Sequence, residues 1–129
     1  MNLVTQIAAG LSALILVVVG ILEIRFYGDQ RFRPIFYVDP GTEGAVRMWA
    51  QNIGAVNIVT AAGIASGLWM ANAGTGLVHG MGVGIVVYTL AANLLLGPWL
   101  GVTERRLWGS AIGQASLPLV GLVAFAVAG

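Results

Sequence analysis

Cysteine is absent from this chain, which excludes disulfides, thiol catalysis and thiolate metal sites and leaves the redox compartment unreadable. Charge is nearly as scarce. Only 9% of the 129 residues are charged, against about 25% in an ordinary soluble domain. A net charge of +1 is too small to point to nucleic acid, and no basic stripe with interleaved aromatics occurs. Nor is there a nucleophile–base pair, a phosphate-cradling glycine loop or a cluster with metal-ligand spacing. The run G-M-G-V-G, Gly80 to Gly84, lies inside an apolar stretch and reads as packing. His79 has no carboxylate nearby in sequence, so neither a metal nor a cofactor is implied, and the balance leans away from an enzyme.

What is present is hydrophobicity, 58% of residues, and a sharp partition of charge. All eleven acidic and basic side chains fall between Glu23 and Arg47 or between Glu104 and Arg106. The stretches 1–22, 48–103 and 107–129 have none. A membrane-spanning helix needs about 20 predominantly apolar residues. The first and last blank stretches hold one such helix each, and the middle one holds two. A soluble bundle of four helices apolar on every face would have no polar exterior. The chain therefore reads as one all-α membrane domain, residues 1–129: four transmembrane helices in an antiparallel bundle, about 3–26, 45–70, 77–96 and 107–127. The N-terminus lacks a basic n-region and a small-residue cleavage site, so Met1 to about Phe26 reads as a retained span.

The long first loop is polar but interrupted by Phe32, Ile35, Phe36, Tyr37 and Val38, and punctuated by Pro34 and Pro40-Gly41. That pattern predicts a structured segment on the membrane surface. Thr42 is the expected cap of the second span, with Glu43 suited to the positive end of its dipole. A-N-A-G-T-G, 71–76, is the expected turn, and Gly97-Pro98 the expected end of the third span. Pro118 removes a backbone donor within the fourth span and predicts a kink.

Four spans put both termini on one side and the first and third loops on the other. Arg25, Arg31, Arg33 and Arg47 lie in or beside the first loop, and Arg105 and Arg106 in the third. The positive-inside rule then places those loops in the cytoplasm and both termini outside. Trp49, Trp99, Trp108 and Tyr27 would form the cytoplasmic aromatic belt, with Trp69 at the outer interface. I-L-E-I-R-F-Y-G (21–28) echoes V-T-E-R-R-L-W-G (102–109), consistent with two helix ends anchored at the same interface.

Glycines recur at four-residue spacing: Gly63 and Gly67, then Gly76, Gly80 and Gly84, then Gly109 and Gly113. Such pairs allow close helix approach within the bundle, and some faces could drive oligomerisation. Polar residues inside the spans point more directly to function. At about 1.5 Å of rise per residue, Glu23, Asn52, Asn93 and Gln114 fall at similar depth in the cytoplasmic half, with Asn57 nearer the midplane. They are expected to form one polar cluster or a pocket open to the cytoplasm. Arg25 is too close in sequence to face Glu23 on a helix, so Arg47 or Arg106 is the expected ion-pair partner.

The segment N-I-G-A-V-N-I-V-T-A-A-G, Asn52 to Gly63, resembles the N-x-G-x-x-N-x-x-x-A-A-G motif of a family of small bacterial membrane proteins. That family is catalogued as a domain of unknown function, number thirteen hundred and four. Leu22-Glu23, the R-F-R-P-I-F loop, and Thr103, Arg105, Arg106, Gln114 and Pro118 are similar to its other features. The resemblance runs from about residue 10 to 120; it implies the four-helix topology and a multi-pass place in the bacterial cytoplasmic (inner) membrane, and supplies no activity. Three functional classes compete. An accessory or structural subunit, homo-oligomeric or part of a larger membrane complex, fits the glycine-rich faces and the missing catalytic set. A carrier resembling the small multidrug resistance proteins would need a deeper glutamate than Glu23. An enzyme resembling the eicosanoid and glutathione metabolism family would need a Glu three residues after Asn52, where Ala55 stands. The last two rest on architecture alone.

Overall fold

A computed structural model describes residues 1–129. The chain is all-helical, with α1 at Leu3–Phe26, a short α2 at Arg33–Phe36, α3 at Glu43–Ala73, α4 at Gly76–Thr103 and α5 at Trp108–Ala128. Four of the five helices are long and apolar enough to cross a membrane. They form a ring in which α1 packs on α3, α3 on α4, α4 on α5, and α5 closes back on α1. The core is thin. Ala9, Leu16, Ala61, Ile64, Val86 and Leu90 make it up, while Leu14, Val59, Leu77, Tyr88 and Leu95 lie on the outside. An exterior this apolar suits a lipid surround and not water.

Each contact in the ring contains a glycine. Gly20 of α1 meets Gly54 of α3 backbone to backbone: a Cβ on either would lie within 2.7 Å of the other's carbonyl oxygen. Gly67 and Gly82 face each other across α3 and α4, and a Cβ on Gly82 would run into the Ala71 backbone. Gly97 lets α4 reach Ala111 and Ala115 of α5, and Gly121 of α5 rests against Ala8 and Leu90. Where lipid supplies no hydrophobic drive, dispersion at such close approach holds helices together.

The two ends of the bundle differ. At one end Asn2 caps α1, accepting from the Thr5 N–H, and its amide donates to Ala124 O across to α5 at 2.7 Å. The Thr5 hydroxyl reaches Gly121 O at 3.1 Å, and Asn72 of α3 donates to Gln6 Oε1 at 3.0 Å. Here, too, His79 Nδ1 donates to Ala71 O at 2.7 Å, fastening the α3–α4 turn. At the other end the first and third loops touch: Ser110 Oγ donates to Ile35 O at 3.3 Å, and Arg106 faces Asp39.

Several boundaries differ from the sequence expectation. The first loop folds into a 3-10 turn, Gln30–Phe32, followed by α2, giving five α-helices instead of four. Thr42 occupies the cap position of α3, but its hydroxyl turns back to Asp39 O at 2.6 Å and caps nothing. The turn expected over 71–76 shrinks to Gly74 and Thr75, because α3 runs on to Ala73 and α4 begins at Gly76, with φ at +52°. Gly97-Pro98 does not end the third span; α4 continues to Thr103. Proline is tolerated within apolar helices packed among neighbours that can satisfy the freed backbone group, and α4 passes through Gly97-Pro98 as α5 passes through Leu117-Pro118. A 3-10 turn at Arg105–Leu107 leads into α5, which continues past the buried Pro118.

Candidate functional site: two polar helix pairs and an arginine-bearing end

The five polar residues expected to cluster do not form one group. Asn57 Nδ2 of α3 donates to Glu23 Oε2 of α1 at 2.8 Å. On the opposite edge of the ring, Gln114 Nε2 of α5 donates to Asn93 Oδ1 of α4 at 3.3 Å, and Asn93 Nδ2 returns to Thr89 O at 2.9 Å. No hydrogen bond links the two pairs. Asn52 joins neither: it is exposed, and its amide donates to Met48 O of its own helix. Equal depth along the axis was the basis for grouping them. Rotation about the axis separates them, because α1·α3 and α4·α5 are different interfaces.

Glu23 finds an amide where an arginine was expected. Arg47 makes no ion pair, and Arg106 is committed elsewhere: its Nη2 lies 3.0 Å from Glu104 Oε2 and its Nη1 3.8 Å from Asp39 Oδ1. The geometry behind the Glu23–Asn57 pair has a repeated local form. Gly20 precedes Glu23 by three residues, and Gly54 precedes Asn57 by three. On each helix the glycine and the polar side chain therefore share a face. Because α1 and α3 run antiparallel, Gly20 lies opposite Asn57 and Gly54 opposite Glu23. Each glycine thus leaves room for the polar residue of the other helix, and the carboxylate and amide reach each other across the close contact. That matched spacing, Gly-x-x-Glu against Gly-x-x-Asn, was the signal in the sequence that could have identified the pair.

The glycines expected to pack divide unevenly. Gly67 packs, against Gly82 and Val86. Gly63, Gly80, Gly84, Gly109 and Gly113 have nothing within 4 Å of where a Cβ would stand, so they face away from the bundle. Four-residue spacing identifies a shared face but not its direction. Gly20, Gly54, Gly82, Gly97 and Gly121, which do the packing, mostly lack that spacing.

The loop end carries the charge. Asp29 caps the first 3-10 turn by accepting from Arg31 N–H and grips the Arg31 guanidinium at 2.7 Å; Glu104 does the same with Arg106 in the second turn. The 21–28/102–109 sequence echo thus has a structural counterpart in a shifted register, with Asp29 and not Glu23 matching Glu104. The hydrogen bonds from Arg31 hold the Asp29 carboxyl below its ordinary range, and those from Arg106 do so for Glu104. Asp39, not singled out in the sequence, receives Arg33 Nη2 at 3.1 Å and faces Arg106. The Arg106 guanidinium lies 5.6 Å above the Tyr37 ring. Tyr37 ends α2 in the left-handed region, φ +53°, donating its N–H to Arg33 O. Two open depressions mark this end, one by Gln30, Arg33, Tyr37 and Arg106, the other by Gly44, Arg47, Gln51 and Asn52.

No three His, Asp or Glu side chains converge on a point that could hold a metal ion. Glu23 with Asn57 and Asn93 with Gln114 join neighbouring helices, whereas Asn52 bonds only within α3; at the loop end Arg31, Arg33 and Arg106 are paired with carboxylates. Fold and site together define a helical protein with four helices long and apolar enough to cross a membrane and two polar pairs set across helix contacts. The chain belongs to the family described as protein of unknown function (DUF1304), which matches residues 10–126. No curated protein and no solved structure matches it.

Proposed function

We propose that the protein is a multi-pass component of the bacterial cytoplasmic membrane, an accessory or structural subunit that packs against other membrane helices. The first and third loops face the cytoplasm and both termini lie outside. In support of the orientation, all six arginines belong to the loop end, while the end bearing Asn2, Thr75 and Ala124 has no Lys or Arg.

The observation that carries the subunit reading is the division of the glycines. One set is consumed in internal contacts; the other, Gly63, Gly80, Gly84, Gly109 and Gly113, presents bare backbone outward from three helices. Exposed backbone of this kind favours close association with further helices, either a second copy or another membrane protein. The internal pairing of Glu23 with Asn57 and of Asn93 with Gln114 agrees with this, since those groups then serve the bundle itself.

Purification in a mild detergent with light scattering tests the reading. The expected result is a particle larger than one chain, reduced in size by Gly84→Leu or Gly113→Leu with helix content unchanged. A monomer without a stoichiometric partner, or a small molecule retained at Glu23, would overturn it. A cytoplasmic reporter fused after Gly129 should be inactive; activity there would reverse the orientation.

A further inference from the structure

Of the residues in the N-x-G-x-x-N segment, Gly54 and Asn57 are explained by the α1–α3 contact and Asn52 is not. Asn52 points outward on the same side of α3 as Gly44, Arg47 and Gln51, which precede it by eight, five and one residues and together with it line an open depression. Helical spacing accounts for the grouping: positions 44, 47, 48, 51 and 52 follow one face. Arg47 is exposed and makes no ion pair, unlike Arg31, Arg33 and Arg106. Gln51 has no hydrogen-bond partner, and Asn52 uses one amide proton on Met48 O, leaving its other amide proton and its oxygen free. Gly44 keeps the depression open, since nothing stands within 4 Å of its Cβ position.

Its height follows from the tryptophans. Trp49 and Trp69 are both exposed on α3, 64% and 69%, and their twenty-residue separation corresponds to about 30 Å of helix. That equals the thickness of a bilayer's hydrocarbon core, and tryptophan favours its two boundaries. Arg47 then lies about 3 Å to the headgroup side of the Trp49 level, and Gln51 and Asn52 about 3–5 Å to the hydrocarbon side. A guanidinium and two carboxamides at that height match the groups of a phospholipid: a phosphodiester oxygen pair for the fork of Arg47, and glycerol and ester oxygens for the amides below.

We infer that Gly44, Arg47, Gln51 and Asn52 form a binding site for the phosphodiester headgroup of an anionic phospholipid at the loop end of α3. This rests on the proposed membrane residence of the chain. Arg47 supplies the charge-assisted bonds, Gln51 and Asn52 read the glycerol region, and Gly44 leaves room for the headgroup.

The test uses the full chain in detergent, stripped of lipid and titrated with phosphatidylglycerol or phosphatidylcholine, with adducts followed by native mass spectrometry. Phosphatidylglycerol should bind with preference, and Arg47→Gln should weaken it about tenfold. Gln51→Ala with Asn52→Ala should weaken both lipids severalfold. Arg25→Gln, which removes another exposed arginine without an ion pair at the same end, should change neither. All four side chains are exposed, so the variants should keep the parent helix content by circular dichroism. Equal binding of the two lipids, equal loss in Arg25→Gln and Arg47→Gln, or displacement by inorganic phosphate as effective as by phosphatidylglycerol would each overturn the site. Alkaline carbonate extraction separates the two failures: a chain released from membranes defeats the membrane reading, whereas a retained chain indifferent to Arg47 defeats only the lipid site.

Discussion

Replacing Gly54 with alanine tests the central contact of the fold. A Cβ there would lie 2.6 Å from Gly20 O, 2.8 Å from Ile24 Cγ1 and 3.1 Å from Glu23 Cβ. Ile24 Cγ1 sits on a β-branched side chain that is stiff in a helix, and the Gly20 carbonyl belongs to the α1 backbone. To restore ordinary contact near 3.4 Å, α1 and α3 must separate by about 0.8 Å along that line. Overpacking of this kind costs about 1–3 kcal/mol. The alanine returns up to about 1 kcal/mol as a better helix former, leaving a net loss of about 0–2 kcal/mol against the parent and a deficit of about 1–3 kcal/mol against an alanine that meets no clash. Gly63→Ala, on the same helix with nothing within 4 Å, receives only the gain and should be neutral or stabilising. Gly20→Ala forces the same separation as Gly54→Ala, so the double variant should cost clearly less than the two single losses combined. Unfolding in mixed detergent–SDS micelles, followed by circular dichroism, reads the parent and all four variants under one condition. If Gly54→Ala is as stable as Gly63→Ala, the glycine contact does not hold α1 against α3. Additive losses in the double variant would equally show that the two glycines do not meet.

The same unfolding assay distinguishes the two members of the Glu23–Asn57 pair. Asn57→Leu leaves the carboxylate without its only hydrogen-bond partner and should cost about 1–3 kcal/mol, whereas Glu23→Gln keeps an acceptor for Asn57 and should be neutral or stabilising. The opposite order would refute the pairing. At Tyr37, φ +53° favours glycine, so Tyr37→Gly should be close to neutral, the relieved strain offsetting the lost ring beneath Arg106. Tyr37→Val should be less stable than Tyr37→Gly by about 1–2 kcal/mol, and equal stabilities would show that this backbone conformation is not held. For pH, the carboxyls of Asp29 and Glu104 are held below their ordinary values by Arg31 and Arg106, so the order they confer is fully present above the ordinary carboxylate range. It is lost as pH falls through the lowered values. Amide exchange at residues 30–32 and 105–107 should therefore stay protected down to about pH 4 and rise below it, after correction for intrinsic rates. Protection lost near neutral pH would show that these carboxyls do not organise the turns.

The first span was legible to the residue, Leu3–Phe26, because a charge-free apolar run ending in Glu23, Arg25 and a Tyr-Gly pair has few other solutions. The fourth span came within a residue or two. The third did not, since a Gly-Pro pair reads as a stop, yet α4 continues through Pro98 to Thr103. The structured first loop was anticipated from its apolar interruptions, but its fastening through Asp39 was not; the aspartate between Val38 and Pro40 binds Arg33 locally and links the first loop to the third when Arg106, far along the chain, arrives beside it.

The candidate site divided in the same way. Glu23 and Asn57 were recognised as polar groups in apolar helices, as were Asn93 and Gln114, but their pairing was misjudged. Sequence alone determined what the surroundings demand: long apolar helices, charges collected near their ends and in two loops, and polar side chains needing partners inside the apolar stretches. These follow from solvation, which acts on each residue and its near neighbours. Only tertiary structure decided which glycine touches another helix, which faces outward, and which amide meets Glu23. Each long helix here is apolar around nearly its whole circumference, so no polar stripe reveals which side turns inward. That choice is made by close packing between backbones distant in sequence, and it surfaces only once α1, α3, α4 and α5 are placed together.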